Sequence, residues 1–129
     1  NIYHPAPKAF ADMLMQVIKE KGMEDYVTIQ SFDFRTLQYL HKKYPQIKTV
    51  ALIEDYDNRS IGEIVQELSY MPPVFSPHYS LVTKDMIYAL HSHKKKIVPW
   101  TVNDKKEIER LKVLGVDGII SDYPNLFNE

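Results

Sequence analysis

The sequence predicts an α/β fold, and two observations carry the prediction. Short apolar runs bounded by turn residues recur at a steady interval, and an amphipathic helical pattern separates each run from the next. Strand candidates open near Val27, Thr49, Val74, Lys96 and Gly118, about every 21 to 26 residues, the spacing of βα units with parallel strands. The chain has 129 residues, one domain at most, and enough length to bury a core.

The elements follow in order. After Pro5 and Pro7, residues Phe10, Met13, Leu14, Val17 and Ile18 fall on one helical face, predicted to point inward, and Gly22 provides a stop. Val27–Ser31 reads as a short strand. A second helix carries Leu37, Leu40, His41 and Tyr44 on its inward stripe and ends before Pro45. Thr49–Ile53 is an almost unbroken apolar run, as expected of a parallel strand covered on both faces. Ser60 is placed to cap a helix using Ile61, Ile64, Val65 and Leu68. A weak strand at Val74-Phe75 follows Pro72 and Pro73, and a helix after Thr83 carries Met86, Ile87 and Leu90. Lys96–Val102 reads as a strand despite Pro99, which cannot donate a ladder hydrogen bond and implies an edge, a bulge or a strand end. A helix after Asn103-Asp104 uses Ile108, Leu111 and Leu114 and stops at Gly115, and Gly118–Ser121 is the last predicted strand.

Composition excludes several classes of partner and chemistry. Sixteen basic against seventeen acidic residues give a net charge of −1, which offers no electrostatic case for binding nucleic acid or an anionic membrane. No apolar run approaches the roughly 20 residues of a membrane span. Cysteine is absent, so disulfides, thiolate metal sites and a cysteine nucleophile are excluded. The sequence assigns no compartment.

Two architectures accommodate five such units: an open doubly wound sheet and part of a (β/α) barrel. The four glycines never fall in the G-x-G spacing of a dinucleotide fold, and a complete barrel takes roughly 250 residues. The pattern alone leaves the choice open. In either case functional groups cluster beyond the C-terminal strand ends. Those positions hold Ser31-Phe32-Asp33, Glu54-Asp55-Tyr56, Ser76-Pro77-His78-Tyr79, Trp100-Thr101-Val102-Asn103 and Ser121-Asp122-Tyr123-Pro124. Carboxylates, an imidazole and aromatics at consecutive strand ends are what a small-molecule pocket requires.

Three of these segments resemble a known family. Val27-Thr-Ile-Gln-Ser-Phe-Asp33, Val98-Pro-Trp-Thr-Val-Asn103 and Gly115-Val-Asp-Gly-Ile-Ile-Ser-Asp-Tyr-Pro124 are similar to the "I-x-S-F-D", "V-x-V-W-T-V-N" and "G-V-D-G-I-I-T-D-x-P" motifs of glycerophosphodiester phosphodiesterases. All three occur in the family's order and spacing, over essentially the whole chain; Ser121 and Pro99 stand where the family has Thr and Val. The resemblance implies a TIM-type (β/α)₈ barrel of which residues 1–129 are a partial domain, strands four to eight, with strands one to three absent. It implies hydrolysis of a small-molecule glycerophosphodiester to glycerol 3-phosphate and an alcohol, with a divalent cation, Mg²⁺ or Ca²⁺, in the parent enzyme. The family's "H-R-G" histidine and "E-x-K" strand do not occur here. No catalytic or metal-ligating residue is therefore expected in this chain, which is expected to be inactive alone and to bind no cation itself.

The same resemblance places Trp100 in the substrate pocket, against the alternative of a core tryptophan. Phe32 and Ser31, on the "S-F-D" strand end, join it as substrate-contact candidates, with core packing the competing role for Phe32. Asp122, Glu54 and His78 complete the candidate set, each also open to a plainer role: helix capping for Asp122 or Asn103, solvation for Glu54 and Asp55, a structural role for His78. His91 and His93, two apart on a helix and beside Lys94–Lys96, read as an exposed helix end rather than a metal site. Five strands of a barrel leave two open edges, so folded copies are expected to self-associate, or to hold a bound N-terminal fragment.

Overall fold

The computed structural model describes residues 7–122. Four parallel strands, β1 (Thr28–Ser31), β2 (Lys48–Ile53), β3 (Val74–Pro77) and β4 (Lys96–Ile97), pair in sequence order. Helices α1 (Pro7–Glu20), α2 (Phe34–Lys43), α3 (Ile61–Leu68), α4 (Lys84–Ser92) and α5 (Lys105–Leu114) alternate with them. Capping chemistry sets the helix starts. Asp33, Thr83 and Asp104 accept a backbone N–H within the first turns of α2, α4 and α5, and Ser60 with Glu63 forms a complete capping box on α3. Gly115, at φ 98°, closes α5 in the left-handed region, where a side chain would be strained.

The helices lie on one side of the sheet. Ala51, Ile53, Phe75 and Ile97 pack with Leu37, Ile61, Ile64, Leu68, Ile87, Leu90, Ile108 and Leu111, while Ile29 packs with Ala11, Met15, Ile18 and Leu40. Strand residues of the opposite parity, such as Leu52, Val74, Ser76 and Val98, belong to neither core cluster. An open doubly wound sheet would cover both faces, so the one-sided core favours the barrel wall. The sheet is also concave. Its outer strands, β1 and β4, would stand about 14 Å apart if flat. Yet the Phe32 and Trp100 rings, just past their ends, have centroids 5.6 Å apart.

Two prolines shape β3 and β4. Lys96, Val98 and Trp100 donate in turn to the carbonyls of Pro73, Phe75 and Pro77, so Pro99 falls where its missing N–H faces away from β3. Pro77 does face β4, and the bond it cannot make to the Val98 carbonyl is supplied by the Ser76 hydroxyl at 2.5 Å.

Several expectations are corrected. Regular strand stops at Ile97 rather than Val102, with one further bridge between His78 and Trp100. Gly118–Ser121 forms no regular strand: Ile120 N–H donates to Pro99 C=O, but Val102 rather than residue 101 returns the bond. The extra residue breaks the parallel ladder beside Pro99, as a bulge does. On α1, Ala11, Met15 and Ile18 are buried, whereas Phe10, Met13 and Val17 are about half exposed. That helix packs on α2 through one flank, and its second apolar flank faces outward. His41 is likewise not core; it is exposed and stacks on Tyr70 at 3.9 Å.

Candidate functional site at the strand ends

The register of the sheet assembles the site. Ile53 opposite Pro77 puts Glu54 beside His78, and His78 bridges Trp100, so Glu54, His78 and Trp100 form one row across three strand ends. Backbone bonds from His78 N to Ile53 O and from Tyr79 N to Trp100 O extend the ladder to this row and fix it.

Three aromatic rings meet there. Trp100 packs edge-on against Phe32 at 5.6 Å and against His78 at 5.0 Å. Its Nε1 is buried without a hydrogen-bond partner among the described residues. A buried indole donor without a partner is uncommon, since losing water costs about 1–3 kcal/mol. Nδ1 of His78 accepts the Ser80 N–H at 3.2 Å and lies 2.7 Å from the Ser80 hydroxyl. In the neutral ring this arrangement places the proton on Nε2. Phe32 remains 45% exposed, which suits a ring available to a ligand better than one packed in a core.

The remaining candidates are distributed differently. Ser31 has the opposite parity, and its hydroxyl accepts the Asp33 N–H at 2.9 Å, shaping the turn into α2 instead of joining the aromatic group. Asp33 then caps α2 and pairs with Arg35, whose hydrogen bonds to the carboxylate hold its pKa below the ordinary value. Asp122 is exposed. Its carboxylate accepts the Asn103 amide at 3.1 Å, while Asn103 Oδ1 accepts the Asp122 N–H and the Ser121 hydroxyl. Asn103 therefore clamps the last described segment to the end of the Trp100 loop, and Asp104 alone caps α5.

Glu54 is half-buried, and no described side chain pairs with its carboxylate. It lines a cleft of about 430 Å³ with Phe32, Leu52, Tyr56, Arg59 and Glu67. The sequence did not single out Arg59 or Arg35, and it assigned Tyr56 no role beyond its position at a strand end. Arg59 forms a two-point pair with Asp57, reaches Glu67 and lies 5.4 Å from the centroid of Phe34. The Asp57 pair, rather than any motif, brings it to the mouth. Among the described residues, no three His, Asp or Glu side chains converge as the ligands of a metal ion. No described helix is long and apolar enough to cross a membrane.

A one-sided layer of helices on a concave parallel sheet, with aromatic and polar residues gathered at the C-terminal strand ends, defines the wall of a TIM-type (β/α)₈ barrel. The chain belongs to the glycerophosphoryl diester phosphodiesterase family, whose family model matches residues 4–126. It is 32% identical over 116 residues to a glycerophosphodiester phosphodiesterase of Bacillus altitudinis, covering 88% of this chain and 46% of that protein. The crystal structure of a glycerophosphodiester phosphodiesterase from Parabacteroides distasonis superposes with a TM-score of 0.79 at 20% identity, over 95% of this chain and 51% of the other. A phosphodiesterase from Oleispira antarctica, in complex with the product sn-glycerol-3-phosphate, shares the fold at a TM-score of 0.79 and 18% identity, over 95% and 51%. The chain spans about half the length of the relatives it matches.

Proposed function

We propose that this chain supplies one wall of a phosphodiesterase site whose complete barrel hydrolyses glycerophosphodiesters. Water is added across the phosphorus–oxygen bond to the alcohol, leaving glycerol 3-phosphate and the free alcohol. The observation that supports this reading is the Phe32–Trp100–His78 group at the strand ends, where Trp100 and His78 share one row and Phe32 reaches Trp100 by ring contact. Ring faces and edges there suit the carbon skeleton of a glycerol moiety, and the His78 Nε2–H is a donor for its oxygens.

Catalytic residues and the ligands of a divalent cation, Mg²⁺ or Ca²⁺, are proposed to come from outside these residues. The described side chains offer no converging ligand set. Such a cation would stabilise charge on the phosphoryl group when bound. The 129-residue chain alone is expected to release no glycerol 3-phosphate from glycerophosphocholine with Mg²⁺ or Ca²⁺. Chelator-sensitive release would show that these residues hold the catalytic apparatus themselves.

The open edges carry a second part of the proposal. Among the described residues one side of β1 has no strand partner, and the outward Phe10, Met13 and Val17 of α1 lie at the same border of the wall. Exposed strand edges and apolar stripes promote association. Light scattering is expected to show the isolated chain as dimers or larger species, and a monodisperse monomer at crystallisation concentration would contradict this.

A further inference from the structure

We propose that the cleft beside Phe32 receives the alcohol portion of the substrate and selects alcohols bearing a cationic amine, with Glu54 as the specificity-determining residue; this rests on the phosphodiesterase reading above. Position supports the assignment first. Glu54 stands one strand from His78 and two from Trp100 on the same row, so the cleft opens directly beside the aromatic group. Its volume of about 430 Å³ is within the range of small-ligand sites and admits a head group of choline size.

Charge supports it independently. Four carboxylates and two guanidiniums line the cleft: Asp33, Glu54, Asp57 and Glu67 against Arg35 and Arg59. Arg35 is held by Asp33, and Arg59 is shared between Asp57 and Glu67, so both cations are already committed. Only Glu54 among the four has no partner among the described residues. The hydroxyls of a neutral polyol can donate hydrogen bonds to that half-buried carboxylate but leave its charge unneutralised, whereas an ammonium would pair with the charge itself.

Aromatic surface completes the case. Phe32 and Tyr56 line the cleft and are 45% and 80% exposed. The Arg59 guanidinium already sits over Phe34, another lining ring, so this wall accepts a cation over an aromatic face. An unpaired carboxylate beside exposed rings is the arrangement that recognises a quaternary ammonium.

Calorimetric titration of the 129-residue chain with choline, and with its neutral isostere 3,3-dimethylbutan-1-ol, tests the proposal. Choline is expected to bind saturably and about tenfold more tightly than the isostere, and Glu54→Gln is expected to remove about that tenfold advantage. Equal affinities, no choline binding, or an unchanged preference in Glu54→Gln would overturn the assignment. The isostere comparison uses unaltered protein and so does not depend on how the variant folds. Failure of the underlying reading is distinguishable in the reassembled barrel. Hydrolysis of cationic and neutral glycerophosphodiesters at equal kcat/KM would refute the selectivity alone, and hydrolysis of neither would refute both.

Discussion

Ser76→Ala removes one hydroxyl from the centre of the sheet, and its cost can be worked from the hydrogen bonds. The residue is 1% exposed, and its Oγ donates to the Val98 carbonyl that Pro77 cannot serve. Alanine leaves this buried acceptor unpaired, at a cost of about 1–3 kcal/mol. With a urea slope of about 1–3 kcal/mol per molar, the unfolding midpoint should fall by roughly 1 M. The assay is equilibrium urea unfolding followed by far-ultraviolet circular dichroism. A double-mutant cycle with Pro77→Ala sharpens it, because that substitution restores a backbone N–H directed at the Val98 carbonyl. In the Pro77→Ala background, Ser76→Ala should cost less than in the parent. A loss below about 0.5 kcal/mol for Ser76→Ala, or no coupling in the cycle, would refute the claim that this hydroxyl substitutes for the missing ladder bond.

Further outcomes are expected elsewhere. Ser60→Ala dismantles the α3 capping box and should lower stability by about 1 kcal/mol in the same urea assay. Phe75→Ala empties a fully buried position between the sheet and its helices and should cost about 3–5 kcal/mol, read by thermal or urea unfolding. Asp12 accepts the Tyr44 hydroxyl at 2.7 Å, the Lys43 ammonium at 3.0 Å and the Tyr39 hydroxyl, which together hold its pKa below 3.8. The folded state therefore takes up that proton less readily than the unfolded chain. Its contribution is full above about pH 4 and is lost as pH falls through the depressed folded value. Asp12→Asn should be less stable than the parent near pH 7, with the gap closing in strong acid; a gap that widens on acidification would contradict this.

The parts of the fold legible in the sequence were those governed by local chemistry. Ser60 three residues before Glu63, Asp104 before an apolar stripe, and Gly115 after it each mark a helix end through backbone bonding that needs no distant partner. The βα alternation was legible as well, because Thr49–Ile53 is an almost unbroken apolar run, whereas Val74-Phe75 gave only a weak strand signal that its place in the alternation reinforced. Tertiary choices were not legible. Helix α1 carries apolar residues on two flanks, and only packing against α2 decides that Met15 goes in and Met13 stays out. His41 lies on a helical stripe, yet its ring settles on Tyr70 at the surface. The last segment reads as a strand, but the ladder beside Pro99 carries an extra residue.

At the site, Trp100 and His78 could be nominated from their strand-end positions, while the contact of Trp100 with Phe32 depends on sheet curvature that no local pattern encodes. The parity of β1 was the missed signal for Ser31. It lies on the side of Ile29, whose face packs against helices, and its hydroxyl is spent on the turn into α2. Arg59 escaped notice because its place at the cleft follows from pairing with Asp57 and Glu67.

The most direct test of the central claim is reconstitution: release of glycerol 3-phosphate from glycerophosphocholine by this chain mixed with the part of the Bacillus altitudinis relative that it does not cover. The account predicts no release from either piece alone and chelator-sensitive release from the pair, abolished or strongly reduced by Trp100→Ala. Equal release from a pair carrying Trp100→Ala would contradict the substrate-wall assignment, and a folded complex without release would contradict the proposed phosphodiesterase function.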